Sequence, residues 1–270
     1  MELGLRGKVA IVTGGSMGIG RACVEALSGQ GVRVATCARG IDALEKLAEE
    51  VSSKTETEVF ALRADVTNAD DVKRFVAAAY HRFGRLDILV NNAANFASGD
   101  FWERTDEDVW HHFNTKLLGY VRFVREALPR LREQKQGSRI INMAGAAARS
   151  AGTSGAPNSA IINFTKVLSD EVAKDGITVN AIHPVTRGLG RGGEERDGAY
   201  TRLVEHASRR GVPLEQAVAE NIRNMEGRTG FHADSSDTAN MVLFLSSDKA
   251  SAITGQTLWA SGSLSTAVYY

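Results

Sequence analysis

Near-continuous apolar runs recur at 8–13, 32–38, 58–62, 86–91, 138–143, 176–182 and 256–260, and the segments between them carry helical spacing. Each run has the length of a strand and each interval has room for a crossover helix, so the pattern predicts seven strands alternating with helices. Runs such as Val9-Ala10-Ile11-Val12 and Ile88-Leu89-Val90 have no polar face. A strand that is apolar on both sides is covered on both sides, which implies a parallel sheet between two helix layers. The predicted fold class is therefore α/β, a doubly wound parallel seven-stranded sheet in a Rossmann-like single domain. Two helical stripes fit this frame: Val109, Phe113, Leu117, Tyr120, Val121, Val124 and Leu128, and then Ile161, Phe164, Val167, Leu168 and Val172. Their spacing marks core or subunit-contact faces. The polar, glycine-rich stretch 187–197 reads as a mobile loop, and 187–229 as a loop and helix inserted over a substrate.

Composition narrows the function classes. A chain of 270 residues with 43% hydrophobic content suits one core, hence a single domain over 1–270. Thirty-two basic and 32 acidic residues balance to a formal charge of +0, which gives no electrostatic reason for a nucleic-acid or membrane partner. The expected partner is a small molecule. Met1-Glu2-Leu3-Gly4-Leu5-Arg6 has no signal-peptide core, and no apolar run is long enough to span a bilayer. Cys23 and Cys37 sit within apolar patterns and are expected as buried free thiols. A cytoplasmic location follows as the expectation.

No carboxylate–histidine spacing makes a metal site, and His111-His112 cannot place both rings on one helix face, so they read as surface or subunit-contact residues. For Trp102 and Trp110, packing is favoured over lining a substrate entrance. Lys166 is expected to be solvated.

The first chemical motif is Thr13-Gly14-Gly15-Ser16-Met17-Gly18-Ile19-Gly20, directly after the first strand and opening a helix. Glycines allow a sharp turn and a close backbone approach, while the helix N-terminus favours an anion. Such a turn elsewhere is only a turn; between a strand and a helix it favours a nucleotide pyrophosphate. The second strand ends at Ala38-Arg39, where an NAD-preferring site places a carboxylate against the ribose 2′-hydroxyl. Arg39 can instead fork onto a 2′-phosphate, which favours NADP(H) over NAD(H); otherwise it is a solvated strand-end arginine.

With these motifs the chain resembles the short-chain dehydrogenase/reductase family along nearly its whole length. Thr13-Gly14-x-x-x-Gly18-Ile19-Gly20 resembles the family's phosphate loop, and Asp65-Val66 its adenine-side pair. Asn91-Asn92-Ala93-Ala94 is similar to its Asn-Asn-Ala-Gly stretch, and Asn114 matches its active-site asparagine. Ile177-Thr178-Val179-Asn180-Ala181-Ile182-His183-Pro184 and Ile253-Thr254-Gly255-Gln256 resemble the segments of the last two strands. The resemblance implies cofactor contacts from Gly14, Ser16, Met17, Gly18, Ile19, Gly20, Arg39, Asp65, Val66, Asn92 and Ala93. It also implies association through the helices at 105–133 and 155–174, as a homotetramer or dimer or a mixed oligomer with an active relative.

The same resemblance exposes a departure. In the family a Tyr exchanges the substrate proton, a Lys four residues on lowers its pKa and holds the ribose, and a Ser polarises the carbonyl. A free tyrosine near pKa 10 is a poor base at neutral pH without such a cation. Here Ser154 falls at the Tyr position, Asn158 at the Lys position, and Ala144-Gly145 where Ser-Ser is usual. No tyrosine lies between Tyr120 and Tyr200, so no shift of register restores the pair. Val185 follows Pro184 in place of glycine, Gly188 falls where a threonine is common, and Ser261-Gly262-Ser263 replaces Asp-Gly-Gly.

Three readings follow. One is an NADP(H)-dependent oxidoreductase with non-standard proton delivery to a carbonyl, alcohol or enoyl substrate. The second is a silent nucleotide-binding pseudoenzyme or subunit. The third is a non-redox lyase, isomerase or hydrolase using His183, Asn114, Ser154 or Asn158. His183 lies at a strand's carboxyl end with a suitable ordinary pKa, although a satisfied buried histidine is the favoured reading. Ser154 has no base partner in sequence and suits a turn or helix cap.

Overall fold

The alternation of apolar runs and helices becomes one sheet of seven parallel strands in the order β3-β2-β1-β4-β5-β6-β7. A computed structural model describes residues 2–95, 102, 104–135, 137–145, 155–184, 204, 207–225 and 234–260. The strands are β1 Val9–Thr13, β2 Arg33–Ala38, β3 Val59–Arg63, β4 Ile88–Asn91, β5 Arg139–Met143, β6 Thr178–Pro184 and β7 Thr257–Ala260. The helices are α1 Gly18–Gly29, α2 Asp42–Thr55, α3 Ala69–Phe83, α4 Asp106–Phe113, α5 Gly119–Arg132, α6 Gly155–Glu171, α7 Leu214–Met225 and α8 Ser235–Ser246. Each predicted strand is found within two residues of its expected bounds. Ser154, Val185, Gly188 and Ser261–Ser263 lie outside the described residues, as does most of the 187–229 segment apart from α7 and the residues just before it.

Both faces of the central strands β1, β4 and β5 are buried, as the unbroken apolar runs require. Val9 and Ile11 face a core with Phe75, Phe123 and Leu131, whereas Ala10 and Val12 face one with Cys23, Leu27, Val242 and Leu245. Period-two alternation of Cβ atoms thus feeds α3, α5 and α6 on one side and α1, α2 and α8 on the other. Cys23 and Cys37 are free and buried, and burial pushes each thiol up to about 12. Among the described residues no helix is long and apolar enough to cross a membrane, and no cluster of three metal-ligating side chains occurs.

Asp87, just before β4, ties three strands together. Its carboxylate accepts the Val9 N–H at 2.8 Å and both arms of Arg85 at 2.9 and 2.6 Å. Its own N–H donates to the Val9 carbonyl and its carbonyl accepts from the Arg139 N–H. Because the carboxylate is buried, Asp87→Ala strands the Val9 N–H and leaves Arg85 without its fork, a loss of about 2–3 kcal/mol. Urea unfolding is expected to show a lowered midpoint at unchanged slope; an unchanged midpoint contradicts this role.

The first helical stripe is placed differently from its α-helical spacing. Residues Asn114–Leu118 form a π turn between α4 and α5. The wider turn shifts the phase of the helix, so Val109 is exposed while His112, Thr115, Lys116 and Gly119 turn inward. Beyond the turn the expected face resumes, with Tyr120 and Val124 buried beside Phe123, Ala127 and Leu131. His112 is therefore a correction to the surface reading: only His111 is exposed.

Candidate active site at the carboxyl ends of the strands

The sheet order reverses at β1, with β2 on one side and β4 on the other. Open parallel sheets bind ligands in the crevice at such a switch point. There the chain leaves β1 through Gly14, whose φ of +71° favours glycine. Thr13 Oγ1 accepts the N–H groups of Asn92 and Ala93, each at 2.9 Å, and Asn92 Nδ2 donates to the Thr13 carbonyl at 2.9 Å and the Gly14 carbonyl at 3.2 Å. A Cβ at Gly20 would lie 2.0 Å from the Gly14 carbonyl oxygen, so the first turn of α1 packs directly on the loop.

These contacts give Asn92 and Ala93 a bracing role behind the loop. Ser16 and the exposed Met17 lie on the turn, and Gly18 and Gly20 are buried, while Ile19 packs on the core beneath. Met17 caps α1 without a side-chain hydrogen bond, and the first turn carries no acidic residue. The loop is thus a cradle whose glycines let its backbone pack directly on its neighbours: a Cβ at Gly14 would lie 2.9 Å from Ala93 Cα and one at Gly15 2.0 Å from Thr36 Oγ1.

Along the β2–β3 end, Arg39 is exposed and has no ion-pair partner among the described residues. Arg63 pairs in register with Ala38, and its Nε donates to the Arg39 carbonyl at 3.1 Å. Two guanidinium groups therefore lie together at the carboxyl ends of β2 and β3. Asp65 turns inward on itself, accepting from Thr67 N–H and Oγ1 at 2.8 and 2.7 Å, and Val66 is buried against Gly119.

The opposite half of the crevice lies at the ends of β5 and β6. Asn91 Nδ2 donates to Asn142 Oδ1 at 2.9 Å and Asn142 Nδ2 to Thr165 Oγ1 at 3.0 Å, a relay that fixes β4, β5 and α6. Asn158 is buried in the first turns of α6 with its carboxamide over Gly145: a Cβ there would lie 2.6 Å from Asn158 Nδ2. Glycine at this position makes room for the amide. His183 is fully buried at the end of β6, its ring 4.3 Å from that of its cross-strand neighbour Trp259. Asn114 Oδ1 accepts Arg122 Nη2 at 2.8 Å.

The side chain that reaches this corner instead is Lys116. The π turn carries it inward, and its Nζ donates to the Ala144 carbonyl at 2.9 Å, one residue before Gly145. One helical turn on, the Tyr120 hydroxyl donates to the Met143 carbonyl at 3.0 Å. Burial pulls the Lys116 ammonium down from its ordinary 10.5 to about 8, and pushes the Tyr120 phenol well above its usual range. His112 Nδ1 lies 2.8 Å from Asn95 Oδ1; burial first, then the charges of Lys116 and Arg104, lowers it to about 4. Sequence pattern missed Lys116 because a lysine two residues after Asn114 reads as a solvated helix position. Lys166 is exposed and paired with Asp170, as expected.

A doubly wound sheet with a glycine cradle at its switch point defines a nucleotide-binding α/β protein. The chain belongs to the short chain dehydrogenase family, which it matches over residues 8–188. It is similar to the 3-oxoacyl-(acyl-carrier-protein) reductase FabG of Staphylococcus epidermidis, with 32% identity over 273 aligned positions that cover 95% of this chain and 98% of the relative. Among solved structures it resembles L-sorbose reductase from Gluconobacter frateurii complexed with NADPH and L-sorbose, at a TM-score of 0.90 and 26% identity, covering 99% of this chain and 100% of the other. An actinorhodin polyketide ketoreductase with NADPH superposes at a TM-score of 0.85 and 30% identity, covering 96% and 98%.

Proposed function

We propose that this chain is an NADP(H)-dependent oxidoreductase acting on a carbonyl substrate, in which the proton reaches the substrate without a serine–tyrosine–lysine set. The observation that carries the reading is the cradle at the β1/β4 switch point: Gly14 and Gly20 in mutual contact, braced by Asn92 through Thr13. A pyrophosphate would approach the backbone of this turn at the α1 N-terminus, where the first turn carries no acidic residue. Gly14, Ser16, Met17, Gly18, Ile19 and Gly20 would hold the phosphates, and Asp65 and Val66 would border the adenine. Bound there, the nicotinamide would supply a hydride. The reductases named above, two of them solved with NADPH, support the same reading.

Arg39 and Arg63 support the phosphorylated cofactor, because a 2′-phosphate next to a guanidinium gains charge-assisted hydrogen bonds that a bare ribose hydroxyl cannot. Arg39→Ala is expected to weaken NADPH binding by about tenfold to a hundredfold and to leave NADH nearly unchanged. Competitive displacement of the two nucleotides measures this directly, and a variant that keeps the wild-type preference would sink the assignment of Arg39. Exposed Val109 and Trp110 on α4 and Val167 on α6 support assembly through these helices.

A further inference from the structure

We propose that Lys116 is the proton donor of this site, acting from the α4–α5 wall in place of the tyrosine and lysine that the α6 wall does not carry. The inference rests on the reductase reading above. Three observations lead to it. First, the π turn at Asn114–Leu118 sets Lys116 at the carboxyl end of β5, with Nζ on the Ala144 carbonyl next to Gly145 and the Asn158 carboxamide. Second, an ammonium carries three N–H donors, and Nζ has one hydrogen-bond partner and no carboxylate among the described residues. A buried cation with open donors is costly in a fold that has no structural use for it, and such groups collect where a ligand completes them. Third, the buried titratable groups of the α4–α5 wall, Tyr120 and His112, are spent or silent. Tyr120 is held on the Met143 carbonyl, and His112 is a neutral ring with Nδ1 on Asn95.

Burial brings Lys116 to about 8, close enough to neutrality for it to give up a proton and be recharged from water; an ordinary lysine is too weak an acid for this. The step balances simply. As the carbonyl carbon gains a hydride, the π pair of its C=O bond passes to oxygen, the oxygen takes a proton from the Lys116 ammonium, and the neutral amine left behind regains one from water. The titratable groups before it in the chain are His112, neutral on the preceding α4, and Arg104 just before α4, whose charge bears on His112. No charged side chain of β5 or of the first turns of α6 faces it among the described residues.

Protein enriched with carbon-13 at lysine Cε, titrated from about pH 6 to about pH 11, tests the amine without turnover. One Cε resonance is expected to titrate near 8 and to be missing from Lys116→Met. A Lys116 midpoint at the ordinary lysine value overturns the proposal. In parallel, NADPH oxidation is followed with acetoacetyl-CoA and L-sorbose as carbonyl probes. Turnover is expected to fall on the alkaline side of the same midpoint, and Lys116→Met and Lys116→Arg to lower kcat at least about a hundredfold with NADPH affinity kept within about threefold. Variants that keep the wild-type rate and pH profile overturn the role of Lys116 and leave the reductase reading intact. A wild-type protein that binds NADPH and consumes none with either probe overturns both.

Discussion

Lys116→Met is expected to make the protein more stable at neutral pH, by about 2 kcal/mol, with a gain that shrinks as the pH rises. Among the described residues the native ammonium is buried against one carbonyl, and its pKa falls from 10.5 in the unfolded chain to about 8 in the folded one. Between these values the unfolded chain binds more protons than the native state, so wild-type stability rises with pH through the window from about 8 to 10.5. The penalty is fully present below about 8 and is relieved as the native amine loses its proton. At 1.36 kcal/mol per pH unit it amounts to about 3 kcal/mol, of which the Ala144 carbonyl left unpaired in the variant takes back about 1. Methionine keeps most of the stem and drops the charge. Thermal unfolding at pH 7 and pH 10 measures both parts: the variant should melt several degrees higher at the lower pH and at about the same temperature as the wild type at the upper. A variant that melts below the wild type at pH 7 would show that the ammonium is a net structural asset, and would remove the case for a functional role.

Gly20→Ala is expected to abolish nucleotide binding, with NADPH affinity lowered more than about a hundredfold. The new methyl would sit 2.0 Å from the Gly14 carbonyl oxygen and 2.6 Å from Asn92 Nδ2. The first obstacle is backbone, so α1 or the loop must shift, and the shift pulls apart the Asn92–Thr13 brace that shapes the cradle. Gly29→Ala, at the other end of the same helix, meets nothing within 4 Å and serves as the control. Equal NADPH affinity in the two variants would place the nucleotide elsewhere.

How legible the site was depended on local backbone geometry. The strands announced themselves because a parallel sheet covered on both faces needs unbroken apolar runs, and Val9-Ala10-Ile11-Val12 feeds both cores. The cradle was legible for a related reason: glycine is placed where backbone meets backbone, and Gly14 and Gly20 do meet. Asn158 and His183 were found where the motifs put them, at the ends of α6 and β6, with Asn158 over Gly145 and His183 under Trp259. Lys116 was not legible. Pattern reading assumes 3.6 residues per turn, and the π turn at Asn114–Leu118 breaks that assumption over the residues that point into the crevice. The same slip of phase hid the burial of His112 and overstated that of Val109. A lysine followed by Leu-Leu-Gly, with glycine closely packed on Val66, was the available signal, and only the packing gives it meaning.

The central claim is that the cradle still binds the phosphorylated dinucleotide, and calorimetric titration of the purified protein with NADPH, NADH and 2′-phospho-ADP-ribose tests it most directly. The expected order is NADPH tightest, then the fragment, with NADH weakest: on the proposed reading the Arg39–Arg63 edge would read the 2′-phosphate and the crevice near Lys116 would add contacts beyond it. Heat from none of the three would contradict the account and leave a scaffold turned to another use.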